Sequence, residues 1–82
     1  MIKAVLVDDE IHCLEALEDA LHKLGQVTVM VKCLNTEEAK TAIQKENPDI
    51  LFLDVELQDH TGFELLEEIK GKNIDIIFTT AY

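Results

Sequence analysis

Three carboxylates and two hydroxyls in this sequence stand directly behind short apolar runs. Asp8 and Asp9 follow Ile2 to Val7, Asp54 follows Ile50 to Leu53, and Thr79 and Thr80 follow Ile74 to Phe78. If those runs are neighbouring strands of one sheet, the carboxylates share an edge and repel. Two like charges about 4 Å apart cost roughly 4 kcal/mol at an effective dielectric near 20, so the arrangement asks for a cation or for protonation. A hard oxygen site with few protein ligands and room for water suits Mg²⁺. A carboxylate beside such an ion can attack a phosphoryl group and form an acyl phosphate, because the metal offsets charge on the incoming oxygens. Thr79 or Thr80 could donate to one of those oxygens. The chemistry indicated is Mg²⁺-dependent phosphoryl transfer to a side chain.

The elements that must position these residues alternate regularly. "IKAVLV", residues 2 to 7, reads as a near-continuous strand of a parallel sheet covered on both faces. Residues 11 to 24 read as a helix with Leu14, Leu17, Leu21 and Leu24 in one apolar stripe and Gly25 at the C-terminal cap. "VTVMV", residues 27 to 31, is a β-branched second strand. The helix after it has Asn35 or Thr36 as N-cap, Glu37 and Glu38 in its first turn, and Pro48 as its stop. "DILFL" gives a third strand. Gly62 to Lys70 gives a third helix with Phe63, Leu66 and Ile69 on one side, ended by Gly71, and "IDIIF" gives a fourth strand. This alternation specifies the α/β class, a doubly wound parallel sheet with right-handed crossovers. In such sheets ligands sit outside the carboxyl ends of the strands, where Asp8, Asp9, Asp54 and the threonines fall.

Composition narrows the partners. A chain of 82 residues forms one small domain, and 48% hydrophobic residues suffice for its core. Seven Lys+Arg against 17 Asp+Glu give a net charge of −10, so the basic patch needed for nucleic acid or an anionic membrane is missing. A divalent cation or a basic protein surface is the better partner. The apolar runs are too short to span a bilayer and the N-terminus carries no leader pattern, so a cytoplasmic protein is expected. Cys13 and Cys33 lack CxxC or Cys/His ligand spacing and read as core or near-core thiols.

At this point the motifs resemble a known family. "VLVDDE" at 5 to 10, "PDILFLDVEL" at 48 to 57, "TGFELL" at 61 to 66 and "IIFTTAY" at 76 to 82 are similar to the N-terminal part of a response-regulator receiver domain of two-component signalling. Each motif alone is weak, but four in this order at strand ends are specific, and the resemblance spans the chain. It implies a flavodoxin-like receiver fold truncated after the fourth strand, so that residues 1 to 82 form a partial receiver domain. It implies a signalling module rather than an enzyme, with any autophosphatase activity belonging to the intact protein. Asp54 would accept the phosphoryl group from a sensor histidine kinase. Asp8 and Asp9 would hold Mg²⁺ together with Asp54 and the backbone carbonyl of Glu56, and Thr80, followed by the small Ala81, would be the switch hydroxyl. "FTTAY" and "TGFELL" look most like receivers of LytTR-type regulators, which implies a DNA-binding transcriptional output outside this chain. The family pattern continues with a helix, a fifth strand ending in a phosphoryl-pairing lysine, and a last helix. Without these, weakened phosphorylation is expected, together with an open edge on the fourth strand and self-association into a dimer or larger species.

Plainer readings compete. Asp8, Asp9 and Glu10 also suit the cap of the first helix, and Asp54 could simply begin a loop. Pleating turns Thr79 and Thr80 to opposite faces, so the choice of Thr80 rests on the resemblance. His12, His22 and His60 show no metal or relay spacing, and Glu64, Glu67 and Glu68 read as a solvated helix face. Two other functions fit less well. One is a degenerate receiver used only for dimerisation or docking. The other is a phosphotransferase or phosphatase of the haloacid dehalogenase type, which would need an aspartate where this chain has Glu56.

Overall fold

The computed structural model describes residues 1–57 and 60–79, with the backbone alone described for 60–63. Thr80, the expected switch hydroxyl, lies outside the described residues, as do Asp59, Ala81 and Tyr82. The chain runs β1 (Ile2–Val7), α1 (Ile11–Leu24), β2 (Val27–Cys33), α2 (Thr36–Glu46), β3 (Ile50–Asp54), a 3₁₀ turn (Val55–Leu57), α3 (His60–Ile69) and β4 (Asp75–Thr79). All strand pairings are parallel and the sheet order is β2-β1-β3-β4. The α/β expectation holds.

Both faces of the two inner strands are covered, which is why they read as unbroken apolar runs. Val5 and Val7 of β1 and Leu51 and Leu53 of β3 join Cys33, Ala39, Ala42, Ile43, Leu65 and Ile69 in a core beneath α2 and α3. Ala4, Leu6 and Phe52 pack on the other face against Leu14 and Leu21 of α1. Each fully buried Leu or Val contributes about 1.5 to 3 kcal/mol.

The helix ends are set by local chemistry. Gly25 closes α1 at φ 72 with its amide on the His22 carbonyl, and Asn47 closes α2 at φ 52 with its amide on the Ile43 carbonyl. Asn35 is the N-cap of α2. Its side chain accepts from the Glu38 amide at 2.8 Å, while the Glu38 carboxylate accepts from the Leu34 amide at 3.0 Å. This exchange resembles a capping box and resolves the choice between Asn35 and Thr36.

Three details differ from the sequence reading. Leu65 and Ile69 are the buried residues of α3 and Leu66 only borders the core, because α2 packs on that side and sets the helix rotation; the side chain of Phe63 lies outside what is described. Leu24, the last residue of α1, is 66% exposed and does not share in the buried stripe. Finally, β2 runs on to Cys33 through a bulge. Ala4 pairs with Val29 but Val5 with Val31, so Met30 is an extra residue. Before the bulge Val27 and Val29 face α1; after it Val31 and Cys33 face α2. Lys32 is thereby turned toward α1, where its ammonium meets Glu18 at 2.8 Å.

One residue aligns the strands. The Asp49 carboxylate accepts from the Lys3 amide at 2.8 Å, its own amide donates to the Lys3 carbonyl at 2.8 Å, and its carbonyl accepts from the Asp75 amide at 3.0 Å. The starts of β1, β3 and β4 are pinned together, so their carboxyl ends come out level.

Candidate functional site

That level edge carries the acids. Val7 of β1 pairs with Leu53 of β3, so Asp8 and Asp54 each follow one member of a register pair. Asp8, Asp9 and Asp54 converge, with one carboxylate oxygen from each lying within 4.8 Å of the others. The sequence placed these residues together and the structure does the same. Their environments differ. Asp54 is 4% exposed, Asp8 is half-buried and Asp9 is exposed.

Backbone amides hold two of the three. The Glu10 amide donates to Asp8 Oδ1 at 2.8 Å and the Glu56 amide donates to Asp54 Oδ1 at 3.1 Å. Each aspartate therefore bonds the amide two residues on, the local turn that Asp favours after a strand. Burying a carboxylate costs several kcal/mol unless such bonds offset it. At α1 the N-cap is Glu10, and no side chain makes a cap hydrogen bond there. Asp8 thus serves the turn before the helix rather than the cap. Asp54 is no ordinary loop start either, being the buried last residue of β3.

The cluster disturbs its own members. Burial raises the Asp8 carboxyl above its ordinary 3.8; the Glu10 amide opposes this, and the charges of Asp54, Asp9 and Glu10 add to it. The Cys13 thiol, in the first turn of α1, is likewise raised by burial and then by Asp8, Glu10, Asp54 and Asp9. The sequence reading of Cys13 as a core or near-core thiol did not connect it with the acids. Its place four residues after Asp9, one helical turn on, was the available signal.

The donor set fits Mg²⁺. All three side chains offer hard oxygens, and an octahedral ion with bonds of about 2.1 Å spans oxygens up to about 4.2 Å apart. The 4.8 Å bound is met by a small side-chain adjustment or by a water ligand. Glu56 sits in the 3₁₀ turn directly after Asp54, beside the acids. On the other side Thr79, the last residue of β4, is the register partner of Asp54.

The response regulator receiver domain matches residues 4–82. The chain belongs to the receiver domain family. The sensory transduction protein LytT of Bacillus anthracis is 37% identical over 84 residues, covering 100% of this chain and 34% of the relative. A response regulatory protein of Yersinia pestis is 34% identical over 83 residues, covering 100% of this chain and 35% of the relative. The chain thus spans about a third of the length of these curated relatives. Among solved structures, a DNA-binding response regulator of the LuxR family from Staphylococcus aureus superposes with a TM-score of 0.86 at 26% identity, covering 100% of this chain and 70% of that one. Membership in the receiver family sets aside the haloacid dehalogenase reading. Among the described residues no helix is long and apolar enough to cross a membrane.

Proposed function

We propose that this receiver is the phospho-accepting module of a two-component response regulator. In this reading an Asp54 oxygen attacks the phosphorus of a phosphohistidine on a sensor histidine kinase. The new P–O bond forms as the P–N bond breaks, its electron pair returns to the ring nitrogen, and an imidazole already protonated on its other nitrogen leaves neutral. Asp8, Asp9, Asp54 and the backbone carbonyl of Glu56 would hold Mg²⁺, which when bound supplies positive charge against the phosphoryl oxygens. The chain's own groups do the positioning. The Glu56 amide holds one Asp54 oxygen in place and leaves the other to react. Burial of Asp54 keeps bulk water from its acyl side. Thr80 would donate to the bound phosphoryl group and relay its presence to a transcriptional output domain outside this chain, in the cytoplasm. The phosphate is accepted stoichiometrically, as in a signalling module rather than an enzyme. Self-association through β4 belongs to the same proposal.

The observation that carries it is the convergence of three carboxylate oxygens within 4.8 Å at the carboxyl edge of a parallel sheet, one of them on the buried Asp54. The test is phosphorylation of the 82-residue chain by phosphoramidate with Mg²⁺, read by mass spectrometry. A slow gain of one phosphoryl group on the Asp54 peptide is expected, and none in Asp54→Asn. A parent chain that binds Mg²⁺ yet never gains the group would leave the docking-module reading in its place.

A further inference from the structure

We propose that Thr79 is a positioning residue for Asp54, its hydroxyl serving the carboxylate oxygen that the Glu56 amide leaves free. The proposal rests on the phospho-acceptor reading above. Thr79 and Asp54 are register partners at the ends of β4 and β3. Side chains alternate faces along a strand, so Ile50, Phe52 and Asp54 share one face, and their partners Asp75, Ile77 and Thr79 share it too. Ile50 and Phe52 pack in the core against α1, which identifies that face. Neighbouring strands lie about 4.8 Å apart. A hydroxyl on Cβ and a carboxylate on Cγ close that gap to hydrogen-bond distance by side-chain rotation.

Both groups have room for the bond: no fully buried side-chain oxygen or nitrogen among the described residues lacks a partner, so the second Asp54 oxygen is open to a donor rather than sealed off. Asp54 is 4% exposed, and among the described residues its carboxylate accepts a single hydrogen bond, from the Glu56 amide to Oδ1. The charged groups closest to it in the site, Asp8 and Asp9, repel it. The Thr79 hydroxyl is half-buried and has no hydrogen-bond partner among the described residues. A hydroxyl donating to the second oxygen fixes the carboxylate plane for in-line attack, a charge-assisted bond stronger than a neutral one. Val at this position would fill the strand equally well and could not do this.

The experiment follows beryllofluoride, with Mg²⁺, binding to the 82-residue chain by ¹⁹F and amide spectra. Thr79→Val is expected to weaken binding about tenfold, while Thr79→Ser stays within about threefold of the parent. Should Thr79→Val fail to give a dispersed spectrum, the Thr79→Ala and Thr79→Ser pair carries the same comparison. Binding of Thr79→Val within twofold of the parent overturns the proposal. So does an equal loss in Thr79→Ser, which would report strand packing rather than the hydroxyl. If the parent binds and Asp54→Asn does not, either result bears on Thr79 alone. If the parent fails to bind, the acceptor reading falls and Thr79 has nothing to position.

Discussion

Asp8 and Asp54 emerge side by side from β1 and β3, one residue beyond the Val7–Leu53 register pair, with carboxylate oxygens within 4.8 Å. Burial first, and then the neighbouring charges, make ionisation of Asp8 costly. Because the folded chain holds the Asp8 carboxyl above 3.8, it binds that proton more tightly than the unfolded chain does. The stability tied to Asp8 is therefore full below pH 3.8 and is lost as pH rises through the raised value. Asp8→Asn should raise the melting temperature of the metal-free chain at neutral pH, by roughly 4 to 8 °C for each kcal/mol of desolvation and repulsion relieved. The gain should shrink to nothing as the pH approaches 3.8. A gain that is independent of pH would mean that the charge is not the cause.

Mg²⁺ should reverse that order. A ligand present at a hundredfold excess over its Kd stabilises by about 2.7 kcal/mol, and for a domain this size that is a rise of about 10 °C or more. The parent should show this rise and Asp8→Asn should lose most of it, although the same variant melts higher without metal. Thermal melts with Mg²⁺ against an equal ionic strength of NaCl decide the matter. Equal shifts from the two salts would show that only general screening is at work.

Much of this was legible because the fold follows from simple periodicities. The strands are continuous apolar runs, and the rule that ligands gather at their carboxyl ends picks out Asp8, Asp9 and Asp54 from the sequence alone. What was not legible depends on contacts between elements. Leu65 and Leu66 lie four and three residues before Ile69, and either spacing fits a helix face; packing against α2 chose Leu65. The Met30 bulge exists only in the pairing of β1 with β2. The amide bonds of Glu10 and Glu56 are turn geometry that spacing suggests but does not specify.

The bulge gives an unusual pair of deletions. Removing Met30 leaves Val29 opposite Ala4 and Val31 opposite Val5, a regular ladder with every later residue on its present face. Removing Lys32 shifts Cys33 by one position and turns it out of the core where it is now 0% exposed. Deletion of Met30 should cost about 1 kcal/mol or less, whereas deletion of Lys32 should cost about 2 to 5 kcal/mol, a large part of the stability of so small a domain. Urea melts of the two variants compare them directly. Equal losses would contradict the assignment of Met30 as the extra residue.

The cysteines are both free and differ in access. Burial, with the Glu38 charge added, pushes the Cys33 thiol up to about 11, and its side chain lies within the core under α2. Alkylation needs a thiolate and a path to it. Iodoacetamide should label the partly exposed Cys13 first, slowed by the acids beside it, and should reach Cys33 only at the rate of unfolding. Binding of Mg²⁺ should speed the reaction of Cys13 by offsetting those acids and slow that of Cys33 by stabilising the fold. Peptide mapping over time separates the two.

The two edges of the sheet are not equally guarded. On β2 the Met30 bulge interrupts the edge and Lys32 is exposed, both of which discourage pairing. By contrast, β4 runs in unbroken register from Asp75 to Thr79 and exposes Ile77 at 43% and Phe78 at 44% on opposite faces. A parallel strand is normally covered on both faces, so β4 is the edge that the proposed self-association would use. Sedimentation equilibrium should show association that rises with protein concentration, and Ile77→Lys should shift the chain toward monomer with its circular dichroism unchanged. The net charge of −10 opposes self-contact, so added salt should strengthen the association. A parent chain that stays monomeric at the highest concentration and salt would show that apolar exposure on β4 is not enough to overcome that repulsion.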